Sequence, residues 1–168
     1  HFVKIAKQYA DLLDENEYPE RNQFVLELLK IIPLLYSAII EVPVEEAVFD
    51  DENEKFVTEE EWSAVFQKIA ALMGAQNEYV DVPDNDEYDT MEVISRSLSE
   101  DIADIYQDIR DFLELYRNGT EEVMNDALWE CKINFERYWG IKAARVILVL
   151  HKILLTDPDE LGRKENEW

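Results

Sequence analysis

Asp101, Asp104, Asp108 and Asp111 fall at i, i+3, i+7 and i+10 of one helical pattern, so their carboxylates share a stripe on a single face. Such a stripe binds Mg²⁺ when a second helix supplies further carboxylates. On that reading Asp101, Asp104 and Asp108 are the metal ligands, and the chemistry is metal-assisted hydrolysis. The competing reading is a solvated helix flank pairing with Lys132, Arg137 or Arg145. Asp84, Asp86 and Asp89 resemble a calcium loop only in outline, because the glycine and the closing bidentate glutamate are absent at the required spacing. One cysteine and two histidines cannot build a zinc site here. There is no glycine-rich phosphate loop and no nucleophile elbow. Cys131 lies on an apolar helical face, where it serves as a small hydrophobe. The sequence therefore assigns no catalytic residue, no cofactor and no bound metal.

The stripe needs a helix to carry it. Leu98, Ile102, Ile105, Tyr106, Ile109, Phe112, Leu113 and Tyr116 recur at the spacing of one apolar helical face. Ser97 with Glu100 reads as a capping box at its start. At its end, Asn118-Gly119 predicts a stop with glycine in the left-handed cap conformation. Thr120 then caps a second helix, whose broad apolar face holds Met124, Ala127, Leu128, Cys131, Phe135, Tyr138 and Trp139. So short a connection makes the two helices antiparallel neighbours. Trp129, Phe135, Tyr138 and Trp139 are expected in the core or in a tight groove.

The wording of this hairpin resembles bacterial domain-of-unknown-function family 5063. The matching strings are Ser99–Asp108 (SEDIADIYQD), Tyr116–Gly119 (YRNG), Met124–Cys131 (MNDALWEC) and Tyr138–Gly140 (YWG), with weaker echoes at Phe2–Ala6 and Phe56–Glu61. The resemblance implies a small, soluble, all-helical protein over nearly the whole chain, and it brings no catalytic residues. The string at Glu100–Ile105 is also similar to the second metal motif of the all-α nucleotide pyrophosphatases. Their first motif, a helical Glu-x-x-Glu, has no counterpart here, because Glu59, Glu60 and Glu61 are followed by Trp62 and Ser63. Arg145 and His151 reproduce the Arg-x5-His spacing of the HEPN ribonuclease superfamily. Val146 stands where those enzymes usually place a polar residue, and a lone histidine in an apolar helix is more often structural.

The remaining chain supplies three more helices. Phe2 to Leu13 is amphipathic, ending near Glu15, and a second helix carries Phe24 through Ile39 with Pro33 inside it. We expect that helix to continue through Pro33 with a kink rather than to restart there. Thr58 with Glu61 is a second capping box, opening a helix that buries Trp62, Val65, Phe66, Ile69 and Leu72, with Gly74 as its stop. Two acidic connections, 41–57 and 75–96, are read as irregular surface segments with no specific divalent site; Pro83-Asp84-Asn85 marks a turn in the second. Ile141 to Leu155 continues the last helical pattern past Gly140, apolar nearly all round, and is expected at the centre of the bundle. Residues 156–168 are expected to form a loosely held polar tail.

These patterns predict an all-α fold, a single domain over residues 1–168 built as one bundle of about five helices. The 168 residues carry 39 acids against 16 lysines and arginines, a net charge of −23. That balance favours solubility and opposes direct binding to nucleic acid. The lone cysteine and the lack of a charged-then-apolar leader point to the cytoplasm. The most apolar run, Val146–Leu150, is too short to span a bilayer, so no membrane partner is expected. The function expected is a protein-interaction module whose acidic loops meet a basic protein surface. The alternatives are the magnesium-dependent hydrolase at Asp101, Asp104 and Asp108, and mimicry of a nucleic-acid backbone towards a nucleic-acid-processing enzyme.

Overall fold

The N-terminal apolar periodicity becomes α1 (Phe2–Asp14), and the longer run after Pro19 becomes α2 (Arg21–Glu41). The computed structural model describes residues 1–43, 45–82 and 93–156; the expected turn at Pro83-Asp84-Asn85, the outline calcium loop and the tail from 157 lie outside them. α2 runs unbroken through Pro33, whose ring faces solvent, so water can satisfy the carbonyl left without its helical donor. By length and composition α2 is apolar enough to cross a membrane, with a mean hydropathy of 1.7. Among the described residues the most membrane-like segment is thus α2 rather than Val146–Leu150. Core helices of soluble proteins share that property, and Phe24, Leu28, Ile32, Leu35 and Ile39 are buried in the core here.

α3 (Glu59–Met73) opens on a complete capping box. The Glu61 N–H donates to Thr58 Oγ1 at 3.1 Å, and the Thr58 N–H donates to Glu61 Oε2 at 2.9 Å. Gly74, at φ 57°, stops it as expected. Val65 and Ile69 are fully packed, while Trp62, Phe66 and Leu72 are half-buried against the core.

The segment 75–96, read from sequence as irregular, contains strands at both ends. β1 (Glu78–Asp81) pairs antiparallel with β2 (Ile94–Ser97), Tyr79 opposite Arg96 and Val80 opposite Ser95. The alternation that marks a strand is only four residues long on each side, too short for a periodicity to stand out. Asn77 fastens the pair to the helix that follows. Its carbonyl accepts from the Leu98 N–H at 2.8 Å, and its side chain exchanges two bonds of 2.9 Å with Ser99.

α4 (Leu98–Asn118) and α5 (Glu121–Asn134) form the expected helical hairpin. Ser97 caps α4 by accepting from the Glu100 N–H at 3.2 Å, and Thr120 caps α5 by accepting from the Val123 N–H at 3.4 Å. Gly119 corrects the sequence reading. It is extended, at φ −88° and ψ 157°, rather than left-handed. What requires glycine there is space: a Cβ would lie 2.6 Å from Val123 Cγ1 and 2.8 Å from the Leu115 carbonyl oxygen.

The last helix does not break at Gly140. α5 widens into a π turn at Phe135–Trp139 and continues as α6 (Gly140–Thr156). The Gly140 N–H donates to the Phe135 carbonyl, and a Cβ on Gly140 would meet that same oxygen at 2.5 Å. The wider turn changes which aromatics face inward. Trp139 is fully buried and donates through Nε1 to the Cys131 carbonyl at 3.1 Å; Phe135 is buried between Tyr36 and Trp139. Trp129 is half-buried. Tyr138, expected with them, is 58% exposed. α6 is likewise one-sided rather than apolar all round at the centre: Ala143, Val146 and Leu150 are buried while Ile141 and Leu148 face solvent.

Candidate interaction surface

α4 is the strut that carries the stripe carboxylates. The four stripe carboxylates do not converge; each meets a different set of partners. Asp101, buried, accepts from the Tyr79 hydroxyl on β1 and lies 3.7 Å from Arg145 Nη2 on α6. Burial raises its pKa, and the tyrosine and the arginine only partly oppose that shift. Asp104 accepts from Trp62 Nε1 on α3 at 2.9 Å and pairs with Lys142 on α6. Asp108 accepts from the side-chain amide of Asn134 at 3.0 Å. Asp111 accepts from the backbone N–H groups of Phe56 and Val57 at 2.8 and 2.9 Å. Of the three cations expected to pair with the stripe, only Arg145 does. Lys132 instead donates to the carbonyls of Ile40 and Val42 at the end of α2. Arg137 is exposed, without a partner among the described residues. The pairing cation that sequence reasoning missed is Lys142, one α6 turn before Arg145 on the same side.

The second helix of the hairpin contributes a carboxylate that sequence reasoning did not single out. Asp126 is 2% exposed and accepts from the backbone N–H groups of Val48 and Phe49 at 2.7 and 2.9 Å. Burial pushes its carboxyl up, but these two donors and the Asn125 amide outweigh that and leave it below its ordinary value. One helical turn on, Glu130 takes Lys55 at 2.8 Å and Asn53 at 3.0 Å. Asp111, Asp126 and Glu130 together pin the acidic segment 45–57 against α4 and α5. Asp126 and Glu130 are spaced i, i+4 on one side of α5, but that spacing does not encode which distant backbone donors meet them.

The pinned segment presents six carboxylates and leaves Val48 57% and Phe49 51% exposed. Beneath it lies a groove of about 540 Å³. Its walls hold Glu46, Asp50, Asp51, Glu52, Asp126 and Glu130 with the rings of Phe49 and Trp129 and, among the described residues, no lysine or arginine.

Residues 1–156 match the family described as Domain of unknown function (DUF5063). The chain belongs to that family. It is also similar to the crystal structure of protein BF1032 from Bacteroides fragilis. The two share 31% identity with a TM-score of 0.80, over 99% of this chain and 92% of the other. No curated protein matches it.

On this DUF5063 fold the acidic groove adjoins a second cleft of about 660 Å³, and the two share Glu52 and Glu130 in their walls. The second cleft lies between α4 and the π turn, lined by Asp104, Asp108, Asn134, Arg137, Tyr138 and Lys142 among others. Asp108 is the perturbed group in it. Burial raises its pKa from the ordinary 3.8 to about 6; Asn134 and Lys55 oppose the shift, while Asp111 and Glu130 add to it. Among the described residues no three metal-ligating side chains gather in one place. His151 is exposed, whereas Arg145, half-buried, turns to Asp101.

Proposed function

We propose that this protein is an interaction module whose acidic segment 45–57 and the groove beneath it receive a basic segment of a partner protein. The observation that carries the reading is the way the segment is held. Buried Asp126 and Asp111 fix its backbone while its own carboxylates and Phe49 stay in solvent. A pre-ordered segment loses little conformational freedom on binding, so more of the contact energy survives as affinity. An acid-walled groove with two aromatic faces suits lysine and arginine side chains, through charge and through cation–π contact. A basic nucleic-acid-processing protein fits the same description, so mimicry of a nucleic acid is one form of this reading. The cytoplasm is the compartment we infer.

The hydrolase alternative requires Asp101, Asp104 and Asp108 to converge with acids of a neighbouring helix. Their partners lie on β1, α3, α5 and α6 instead, and that divergence favours binding over catalysis. The test places a photo-crosslinking residue at exposed position 50 in the native cell. One basic protein should be captured, and Phe49→Ser should abolish the capture without moving the melting temperature. Magnesium-dependent pyrophosphate release from a nucleoside triphosphate, present in the wild type and lost in folded Asp104→Asn, would replace this reading with the enzyme.

A further inference from the structure

We propose that the cleft between α4 and the π turn receives a lysine side chain of the partner, with Asp108 as its counter-charge; this rests on the interaction reading above and assigns it a specific anchor. The other stripe carboxylates are occupied by the fold. Asp101 has Tyr79 and Arg145, Asp104 has Trp62 and Lys142, and Asp111 has two backbone N–H groups. Asp108 accepts one bond, at Oδ1, from a neutral amide, and its Oδ2 has no partner among the described residues. A charge in a cleft wall with one oxygen free offers a single strong acceptor. That geometry suits an ammonium, a compact point charge, better than a guanidinium, which takes two oxygens side by side.

The cleft's own cations do not fill the role. Lys55 is held by Glu130 at 2.8 Å, and Lys142 by Asp104. Arg137 lines the cleft without a partner among the described residues, and favours a guest that carries an acid beside its lysine. Tyr138 and Ile141, 58% and 59% exposed, offer apolar surface to the four-carbon stem. Tyr138 stands on the π turn, a helix irregularity that recurs at functional sites, and Ile141 on the first turn of α6 beside it. At about 660 Å³ the cleft also has room for the backbone flanking the lysine.

The experiment titrates full-length protein with Nα-acetyl-lysine-N-methylamide, following the Asn134 side-chain amide by NMR. Saturable shifts are expected with this probe and none with its Nε-acetylated form. Asp108→Asn, confirmed folded by its melting curve, should bind about tenfold more weakly, the loss of one charge-assisted contact. Absence of saturable binding, equal binding by Asp108→Asn, or equal binding of the acetylated probe overturns the proposal. A free diamine that binds tenfold tighter than the capped lysine would also overturn it, in favour of a small amine. The crosslinking assay separates the two readings. Capture lost in Phe49→Ser but unchanged in Asp108→Asn rejects the lysine cleft and leaves the module standing, whereas capture lost in both supports the cleft.

Discussion

Asp111 and Asp108 sit one turn apart on the same face of α4 and do different work. Asp111 is buried and closes two backbone N–H groups of the segment after α2; Asp126 on α5 does the same for two more. These carboxylates are structural pins. Asp108 meets one neutral amide and looks into a cleft. The same division runs along the π turn, where Trp139 is buried whole and its neighbour Tyr138 stands in solvent. What separates Asp111 from Asp108 is the element that approaches each, not residue type or local sequence; what separates Trp139 from Tyr138 is the side of the π turn on which each stands. Groups that the fold occupies define the frame, and groups that it leaves open define the surface.

The comparison can be broken most forcefully at Trp139. Trp139→Ala removes a fully buried ring and its bond to the Cys131 carbonyl, and should cost about 3–5 kcal/mol in a chemical melt. An unchanged midpoint would mean that this ring is not part of the frame. Next in size, Asp126→Ala should cost about 2–4 kcal/mol, because two backbone donors lose a charged acceptor. Hydrogen exchange should show the amides of Val48 and Phe49 losing protection while those of α1 keep theirs. Since Asp126 is held below its ordinary pKa, its contribution is complete above the usual carboxylate range and is lost only as pH falls through the lowered native value.

Asp108 should behave in the opposite sense. Its native pKa of about 6 lies above the ordinary 3.8, so the folded state binds the extra proton and stability declines as pH rises between those values. Asp108→Asn removes the charge and should stabilise the protein by about 1–3 kcal/mol at pH 7.5, the gain fading below about pH 4. Melting curves at the two pH values measure it; a destabilised variant at neutral pH would place Asp108 among the pins. The smallest effect belongs to Tyr138→Ala, within about 0.5 kcal/mol of the wild type, as for an ordinary surface position. A larger loss would show that the exposed side of the π turn also carries the fold.

Much of the fold was legible in advance. The apolar periodicities of α1 to α5, the Thr58–Glu61 box, the hairpin at Asn118-Gly119 and the continuity through Pro33 follow from local rules, because a helix is closed by bonds between residues four apart. The stripe of Asp101, Asp104, Asp108 and Asp111 was legible for the same reason, as was Arg145 as a partner. The pins were not. Asp111 and Asp126 bond to residues 54 to 78 positions away, and no local pattern encodes which distant backbone group will arrive. Tyr138 was misplaced because a straight 3.6-residue helix was extrapolated through a π turn, which rotates every later side chain.

By itself, then, the sequence determined the helices, their caps, the hairpin and an overwhelming negative charge, all properties of neighbouring residues or of plain composition. Only the tertiary structure decided which carboxylates the fold consumes and which it leaves facing a cleft. It also paired two short strands and turned Tyr138 out. The physical reason is common to all of these. A side chain's role depends on burial and on its partners, and for Asp108, Asp111 and Asp126 both are supplied by chain remote in sequence and brought close by packing around one core.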